Sequence, residues 1–542
     1  MRFSSKYLLL SLLISIAFFG CKSQKNQTSS KQTELPKTQN PPNPNGDLPI
    51  KDIPKATIHL QPLSFNLPEI PREFRGVWIA TVVNIDWPTQ ATDSFQKQKQ
   101  DFLSLLDYYK SLNFNTVIVQ VRTAGDAFYP SNLAPWSKYL TGKEGKAPAT
   151  SENPLTWMIK EAHNRGLEFH AWLNPYRATF DLKTDLLSPE HDYNKHRDWM
   201  LKYGTKYYYN PGLPEVKSHL TSVIKELVDN YDLDAIHFDD YFYPYKIGNE
   251  IFPDKKSYDT YKKQGQSIDD WRRQNVNDLI LSVHQQIKSS KPWVQFGISP
   301  FGVWRNQDKD PKGSPTRAGQ TNYDDLYADP ITWMKNGWID YLIPQIYWSM
   351  DYELASYRKL NDWWSNNSFN TNIYIGNGPY KIRDNADKAW DNPSEILNQI
   401  SYTRTAPNIQ GNAFFSAKSF FSKNQDVAKN LRQELYQEPT LPPSFEPKTE
   451  AIIDAPVVLD ITSDQSLTKI SLEKPLDPAI RYALVHGANE LNLLADSEIH
   501  PVWVGGVRAR SLEVKSLNTK FLAIRWIDHY GRIVQTQVYQ VP

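Results

Sequence analysis

The sequence predicts a (β/α)8 TIM-type barrel followed by a C-terminal β-sandwich, on three observations. Short apolar runs alternate with amphipathic helical patterns eight times between Arg75 and Tyr436, as a barrel of parallel strands requires. The runs lack strict apolar–polar alternation, as expected of strands buried on both faces. No Gly-rich phosphate loop follows any run, which disfavours a doubly wound open sheet.

The chain opens on an address. Arg2 and Lys6 precede an apolar run from Tyr7 to Phe19, then Gly20 and Cys21, the single cysteine of 542 residues. A basic start, a short apolar stretch and a small residue before Cys make a secretory signal, too short for a membrane span. Residues 1–21 therefore read as a lipoprotein signal peptide ending at a lipidated Cys21, against the alternative of an ordinary signal. The expected location is the bacterial cell envelope, facing the periplasm, with the membrane reached through the lipid. Residues 22–71, rich in Ser, Asn, Gln, Lys and Pro, read as a disordered tether.

Residues 72–438 form the predicted barrel. Its strands are Arg75–Val82, Thr116–Val121, Glu168–Leu173, Ala235–Phe238, Gln295–Ser299, Tyr341–Ile346, Asn372–Ile375 and Gly411–Phe415. The helices between them are Gln98–Leu112, Pro154–Arg165, Pro214–Tyr231, Asp269–Lys288, Pro330–Asn336, Glu353–Trp364, Pro393–Tyr402 and Gln425–Tyr436. After the Pro-rich stretch Pro439–Pro443, residues 447–542 carry short β-rich runs separated by turn residues, Val457–Ile461, Thr468–Leu472, Arg481–Val485, Ser511–Val514, Phe521–Trp526 and Val534–Tyr539. These read as a β-sandwich resembling a fibronectin type III-like module.

Polar and aromatic residues gather where barrel strands end, the face on which barrels build their sites. Asn84 and Trp87 follow the first strand, Arg122 the second, and Asn174, Tyr176 and Arg177 the third. The fourth strand runs through His237 to two adjacent acids, Asp239 and Asp240, and on to Tyr241; Gln345, Tyr347 and Trp348 end the sixth. Carboxylates among aromatic rings are the pattern of sugar-cleaving barrels, where rings stack on sugars and carboxyls move protons. Two acids this close raise the pKa of one of the pair, as a general acid requires near neutral pH. Asp239 and Asp240 are therefore the candidate catalytic pair, with Asp351 as a further carboxylate beyond the sixth strand. His237 would orient an Asp or sit satisfied in the core. Trp87, Tyr176, Tyr241 and Trp348 are stacking candidates, with core packing as the alternative for each. No His/Cys/Asp cluster shows zinc-ligand spacing, so neither metal nor cofactor is expected. A net charge of +1 gives no argument for nucleic acid, while 17 Trp, 30 Tyr and 23 Phe lean toward a carbohydrate groove.

Arg72–Ile79, Asn84–Pro88, Val119–Arg122, His170–Arg177, Tyr209–Pro211, His237–Pro244 and Pro344–Trp348 together closely resemble glycosyl-hydrolase-like family 10. A division-associated member of that family implies hydrolysis of denuded peptidoglycan glycans, strands stripped of their stem peptides, and cell-division proteins as partners. Arg75, Arg122 and Arg177 would then meet substrate carboxylates such as the lactyl group of N-acetylmuramic acid, or else form salt bridges within the barrel. Asp234–Asp239 and Gln345–Trp348 also look like the fourth- and sixth-strand signatures of chitinase-type barrels, which use the substrate's N-acetyl group as nucleophile. Tyr347 or Asn174 would orient that amide. The acid Glu of those enzymes falls at Tyr241 here. Two alternatives stay open: a glycosidase on another polysaccharide, and a non-catalytic glycan-binding barrel lipoprotein.

Overall fold

The computed structural model describes residues 60–446, 453–495, 502–505, 510–515 and 518–541. The expected signal peptide, Cys21 and the expected tether as far as residue 59 lie outside them. Eight parallel strands close into one barrel: Phe74–Ile79, Thr116–Arg122, Glu168–Leu173, Ala235–Phe238, Gln295–Ile298, Tyr341–Leu342, Asn372–Asn377 and Ile409–Phe414. The first pairs with both the second and the eighth, which seals the sheet and leaves no edge. The third and fourth strands have the bounds the sequence predicts. The first stops at Ile79 rather than Val82, because Val82–Asn84 turns with positive φ at Val83 and Asn84. The sixth is reduced to Tyr341–Leu342, where Pro344 removes a ladder donor and Gln345 makes only isolated bridges to Phe301 and Gly376.

Two cores form on the two faces of the barrel wall. Outside, strand residues such as Val117, Phe169, Ile236 and Phe296 pack against helix residues such as Leu106, Met158, Ile224 and Val283. Inside, a separate aromatic plug of Phe74, Trp78, Trp172, Tyr341 and Tyr374 fills the lumen. Phe74 and Tyr374 stack at 3.9 Å with their planes 1° apart. Such rings fit because small residues face them. A Cβ on Gly297 would lie 1.8 Å from the Tyr341 ring, so a glycine is required there.

The C-terminal chain forms two antiparallel sheets. One orders Val458–Ser463, Leu467–Leu472 and Ser511–Lys515; the other Val502–Gly505, Ile480–Ala488, Phe521–Asp528 and Ile533–Gln540. Ile461, Ile470 and Leu512 of the first share a core with Val485, Ile524 and Trp526 of the second. Strand alternation turns Tyr482 and Leu484 to the other face, against Leu441 and Ile70 at the barrel's margin. Ile70 belongs to a stretch predicted as tether. The structure instead lays Leu63, Phe65 and Leu67 on the second sheet, with Leu63 N–H donating to Val538 O at 2.7 Å. Apolar residues at every second position give that extended segment one half-buried face.

The module docks at the amino end of the barrel, through Asp234, the residue that precedes the fourth strand. Arg481 Nη2 lies 2.6 Å from Asp234 Oδ1, while His163 Nε2 and Phe169 N–H each reach Asp234 Oδ2 at 2.8 Å. Despite burial, the charges of Arg481 and His163 hold the Asp234 carboxyl well below the usual carboxylate range. A carboxyl depressed in the folded state stabilises the protein above about pH 4, and that stability is lost as pH falls toward the folded value. Arg481→Met is therefore expected to lower the urea midpoint at pH 7 by an amount equivalent to about 3 kcal/mol, with the difference shrinking below pH 4. An unchanged midpoint at pH 7 would show that the ion pair does not hold the two parts together.

Candidate functional site

Residues on alternate positions of the third strand point into the lumen, so His170, Trp172 and, just past the strand, Asn174 face the same way. They meet the end of the fourth strand. Trp172 Nε1–H donates to Asp239 Oδ2 at 3.1 Å, and the Asn174 amide donates to the same oxygen at 3.1 Å. Tyr241 N–H adds a third donor at 3.4 Å. Asp240 turns the other way, to the loop that follows, and accepts a short hydrogen bond from the Tyr245 hydroxyl. Both acids are buried, at 4% and 2% exposure.

Burial, and next the charge of Asp240, push the Asp239 carboxyl up to about 7, although Arg177, Trp172 and the Tyr241 amide favour its anion. Burial also raises Asp240, opposed by Tyr245, its own backbone N–H, Gln345 and Arg177. The two carboxyls compete for one negative charge. The charge of Asp240 is among the causes that raise Asp239, which sets Asp239 as the member that holds a proton near neutral pH.

Asn174 has a second task. Its Oδ1 accepts from Arg177 N–H at 2.9 Å, closing the turn that sets the Arg177 guanidinium 4.6 Å from the centre of the Tyr241 ring. Aromatic rings continue along the same rim. Tyr245 lies 5.5 Å from Tyr241, and Phe301 lies 5.5 Å from Trp348. Tyr347 packs beside Tyr380 and Phe415, each about 6 Å away. Gln345 donates to Ser299 O at 2.8 Å, which fixes its side chain beside Asp240. The structure thus brings together Asp239, Asp240, Asn174, Arg177, Tyr241, Gln345, Tyr347 and Trp348 from the predicted set.

The rest of that set stands elsewhere, each for a physical reason. Arg75 lies at the amino end, paired with Glu73 at 2.7 Å, donating to Glu438 O and packed over Tyr436. It occupies the second position of its strand, far from the carboxyl end. Asn84 spends its amide on Pro88 O and Tyr139 O. Trp87 is wholly buried, its indole donating to Gln98 O and its ring against Phe102. Tyr176 is likewise core. Arg122 is buried, donating to the Tyr209 hydroxyl and to Asp126 O. Asp351 is exposed and pairs with Arg358 at 3.1 Å, which removes it as a second catalytic acid.

His237 lies one layer below the acids. Trp78 Nε1–H donates to its Nε2 at 3.3 Å, so Nδ1–H is free to donate to the Tyr341 hydroxyl at 3.0 Å. Burial, with the nearby His170, holds its pKa well below the ordinary value, and a neutral imidazole here supports the plug rather than touching an Asp. Trp172, Tyr245, Phe301 and Phe415 were not singled out from sequence. Trp172 was within reach, because it shares the inward face with Asn174 two residues on; the others lie on loops whose folding no local pattern specifies.

The model of a family described as glycosyl hydrolase-like 10 matches residues 73–392. Glycosyl hydrolase YngK of Bacillus subtilis (strain 168) is 48% identical over 400 residues, covering 73% of this chain and 78% of that protein. Glycosyl hydrolase DigH of Escherichia coli (strain K12) is 38% identical over 364 residues, covering 63% of this chain and 82% of that protein. Among solved structures, the PgaB (BpsB) glycoside hydrolase domain from Bordetella bronchiseptica aligns at 11% identity with a TM-score of 0.43, over 67% of this chain and 98% of that one.

Proposed function

The chain belongs to the glycosyl hydrolase-like 10 family and is a glycoside hydrolase, and from that premise we propose that it cleaves peptide-free glycan strands of peptidoglycan, with Asp239 as proton donor and Asp240 as its ionised partner. The observation that carries the assignment of roles is the pair itself: two adjacent carboxyls, both buried, at the carboxyl end of a barrel strand, with different donors around each.

Glycosidic cleavage needs a proton on the leaving oxygen and negative charge near the developing oxocarbenium ion. Asp239 carries the proton that the first task requires. Asp240 supplies the charge, its anion favoured by Tyr245 and Gln345 against the effect of burial. Rings of Tyr241, Tyr245, Trp348 and Tyr347 offer faces on which sugar units stack. The choice of peptidoglycan rests on the resemblance to a division-associated family member, which also implies cell-division proteins as partners. It accords with an envelope location and a lipid anchor on Cys21.

Activity, its pH dependence and cell fractionation test the proposal. On denuded glycan strands, Asp239→Asn and Asp240→Asn are each expected to reduce kcat at least ~10²-fold, the low end for loss of an acid–base group. The wild-type kcat/KM should fall as pH rises through about 7, because Asp239 must be protonated. Tyr245→Phe removes a donor that favours the Asp240 anion, so the acidic limb should move to higher pH. Wild-type rates in both Asn variants would remove the pair from the chemistry, and turnover only of other polysaccharides would replace the substrate. For the anchor, Cys21→Ser expressed in a bacterial host should leave the membrane fraction; retention there would overturn lipidation at that residue.

A further inference from the structure

We infer that Arg177, assisted by Lys206, is the specificity-determining residue that reads a carboxylate on the glycan. The inference rests on the proposed cleavage of peptidoglycan strands and assigns the recognition of their lactyl ether carboxylate.

Two of the three arginines considered from sequence have their guanidinium groups committed. Arg75 is held by Glu73 and two main-chain carbonyls, and Arg122 by Tyr209 and Asp126 through both terminal nitrogens, with its Nε alone unpartnered. Arg177 differs. It is 7% exposed, its Nε is buried without an acceptor, and among the described residues its guanidinium makes no hydrogen bond or ion pair. Ring faces hold it instead: Tyr241 at 4.6 Å and Phe180 at 5.9 Å. Aromatic faces attract a cation but accept none of its five directional N–H donors.

A second cation stands beside it. Lys206 Nζ lies 5.3 Å from the centre of the same Phe180 ring, and no hydrogen bond or ion pair engages it among the described residues. Burial first, and then Arg177, lower its pKa, so the two charges feel one another. Asp239 and Asp240 attract Arg177 through space, but neither is within ion-pair distance. Two cations around one ring, one of them buried with its donors unspent, form a site that an anion would complete.

The position selects the kind of anion. Arg177 adjoins the acids through Tyr241, so the group it meets belongs to a sugar bound at or next to the cleavage point. A planar monoanion matches the edge of a guanidinium whose face is covered by Tyr241. A dianionic phosphate would bring greater repulsion to the ionised Asp240. A carboxylate on an ether arm of the sugar ring meets each of these conditions.

The test uses the full chain and two forms of one substrate: denuded strands with free lactyl carboxylates, and the same strands with those carboxyls reduced to alcohols. Wild-type kcat/KM should fall about 10²-fold on reduction, as when one partner of a buried charge pair is removed. Arg177→Gln should collapse the native-to-reduced ratio to near one. Lys206→Gln, on the half-buried hairpin Met200–Tyr209, should lower it several-fold. It serves as the independent probe if the first variant folds poorly. The ratio is a readout that a merely structural role for Arg177 would not move. If wild type cleaves both forms equally, or the variants keep the wild-type ratio, the inference is overturned while the substrate reading stands. If wild type cleaves neither form but cleaves another polysaccharide, the substrate reading falls and the inference falls with it.

Discussion

Everything at the working end of this molecule depends on one electrostatic constraint: two successive residues place carboxyls where a closed barrel leaves little water. In bulk solvent two such acids ionise independently. Here, each loses hydration, and the charge of one opposes that of the other. Only one negative charge is easily accommodated, so the surrounding groups decide where it resides. Trp172 and Asn174 reach Asp239 from the third strand, while Tyr245 and Gln345 serve Asp240 from the loop and the sixth strand. A difference in direction between neighbouring side chains thereby becomes a difference in chemistry.

The plug beneath makes that constraint possible. Phe74, Trp78, Tyr341 and Tyr374 fill the lumen, and the neutral His237 joins Trp78 to Tyr341 by hydrogen bonds. A wetter lumen would hydrate both acids and return Asp239 toward its ordinary pKa. Keeping it high has a cost in stability. A carboxyl raised to about 7 in the fold stabilises the folded state fully below its unfolded pKa near 4. That contribution is lost as pH rises to about 7, of order 4 kcal/mol over the three units between. The Asp234–Arg481 pair at the other end of the barrel has the opposite pH dependence and is fully present at neutral pH. The C-terminal module therefore steadies the scaffold from the face opposite the chemistry.

Strand order, helix positions and the acid pair were legible in the sequence because each rests on local pattern. Ala235–Phe238 is four apolar or core residues running into two acids, and nothing distant is needed to read it. The module's strands were legible for the same reason, apart from Val502–Gly505. What local pattern could not supply was which end of a strand a residue occupies and what it meets. Arg75 sits in a family-like motif, yet its place at the start of the first strand commits it to Glu73. Trp87 and Tyr176 follow strands, as site aromatics do, but loop paths fold them into the core. Arg122 ends the second strand and Arg177 lies in the turn four residues past the third. A tyrosine from a distant hairpin, Tyr209, engages Arg122, while Arg177 is left facing rings. That distinction is tertiary, and it separates an arginine held by hydrogen bonds from one held by ring faces.

The most direct measurement is the titration of Asp239 itself, by 13C NMR of protein with labelled aspartate carboxyls, the resonance assigned by its loss in Asp239→Asn. A midpoint near 7, moving downward in Asp240→Asn as the opposing charge is removed, is the predicted result. A midpoint in the ordinary carboxylate range near 4, unmoved by that substitution, would mean that Asp239 carries no proton at neutral pH and would contradict its role as the acid.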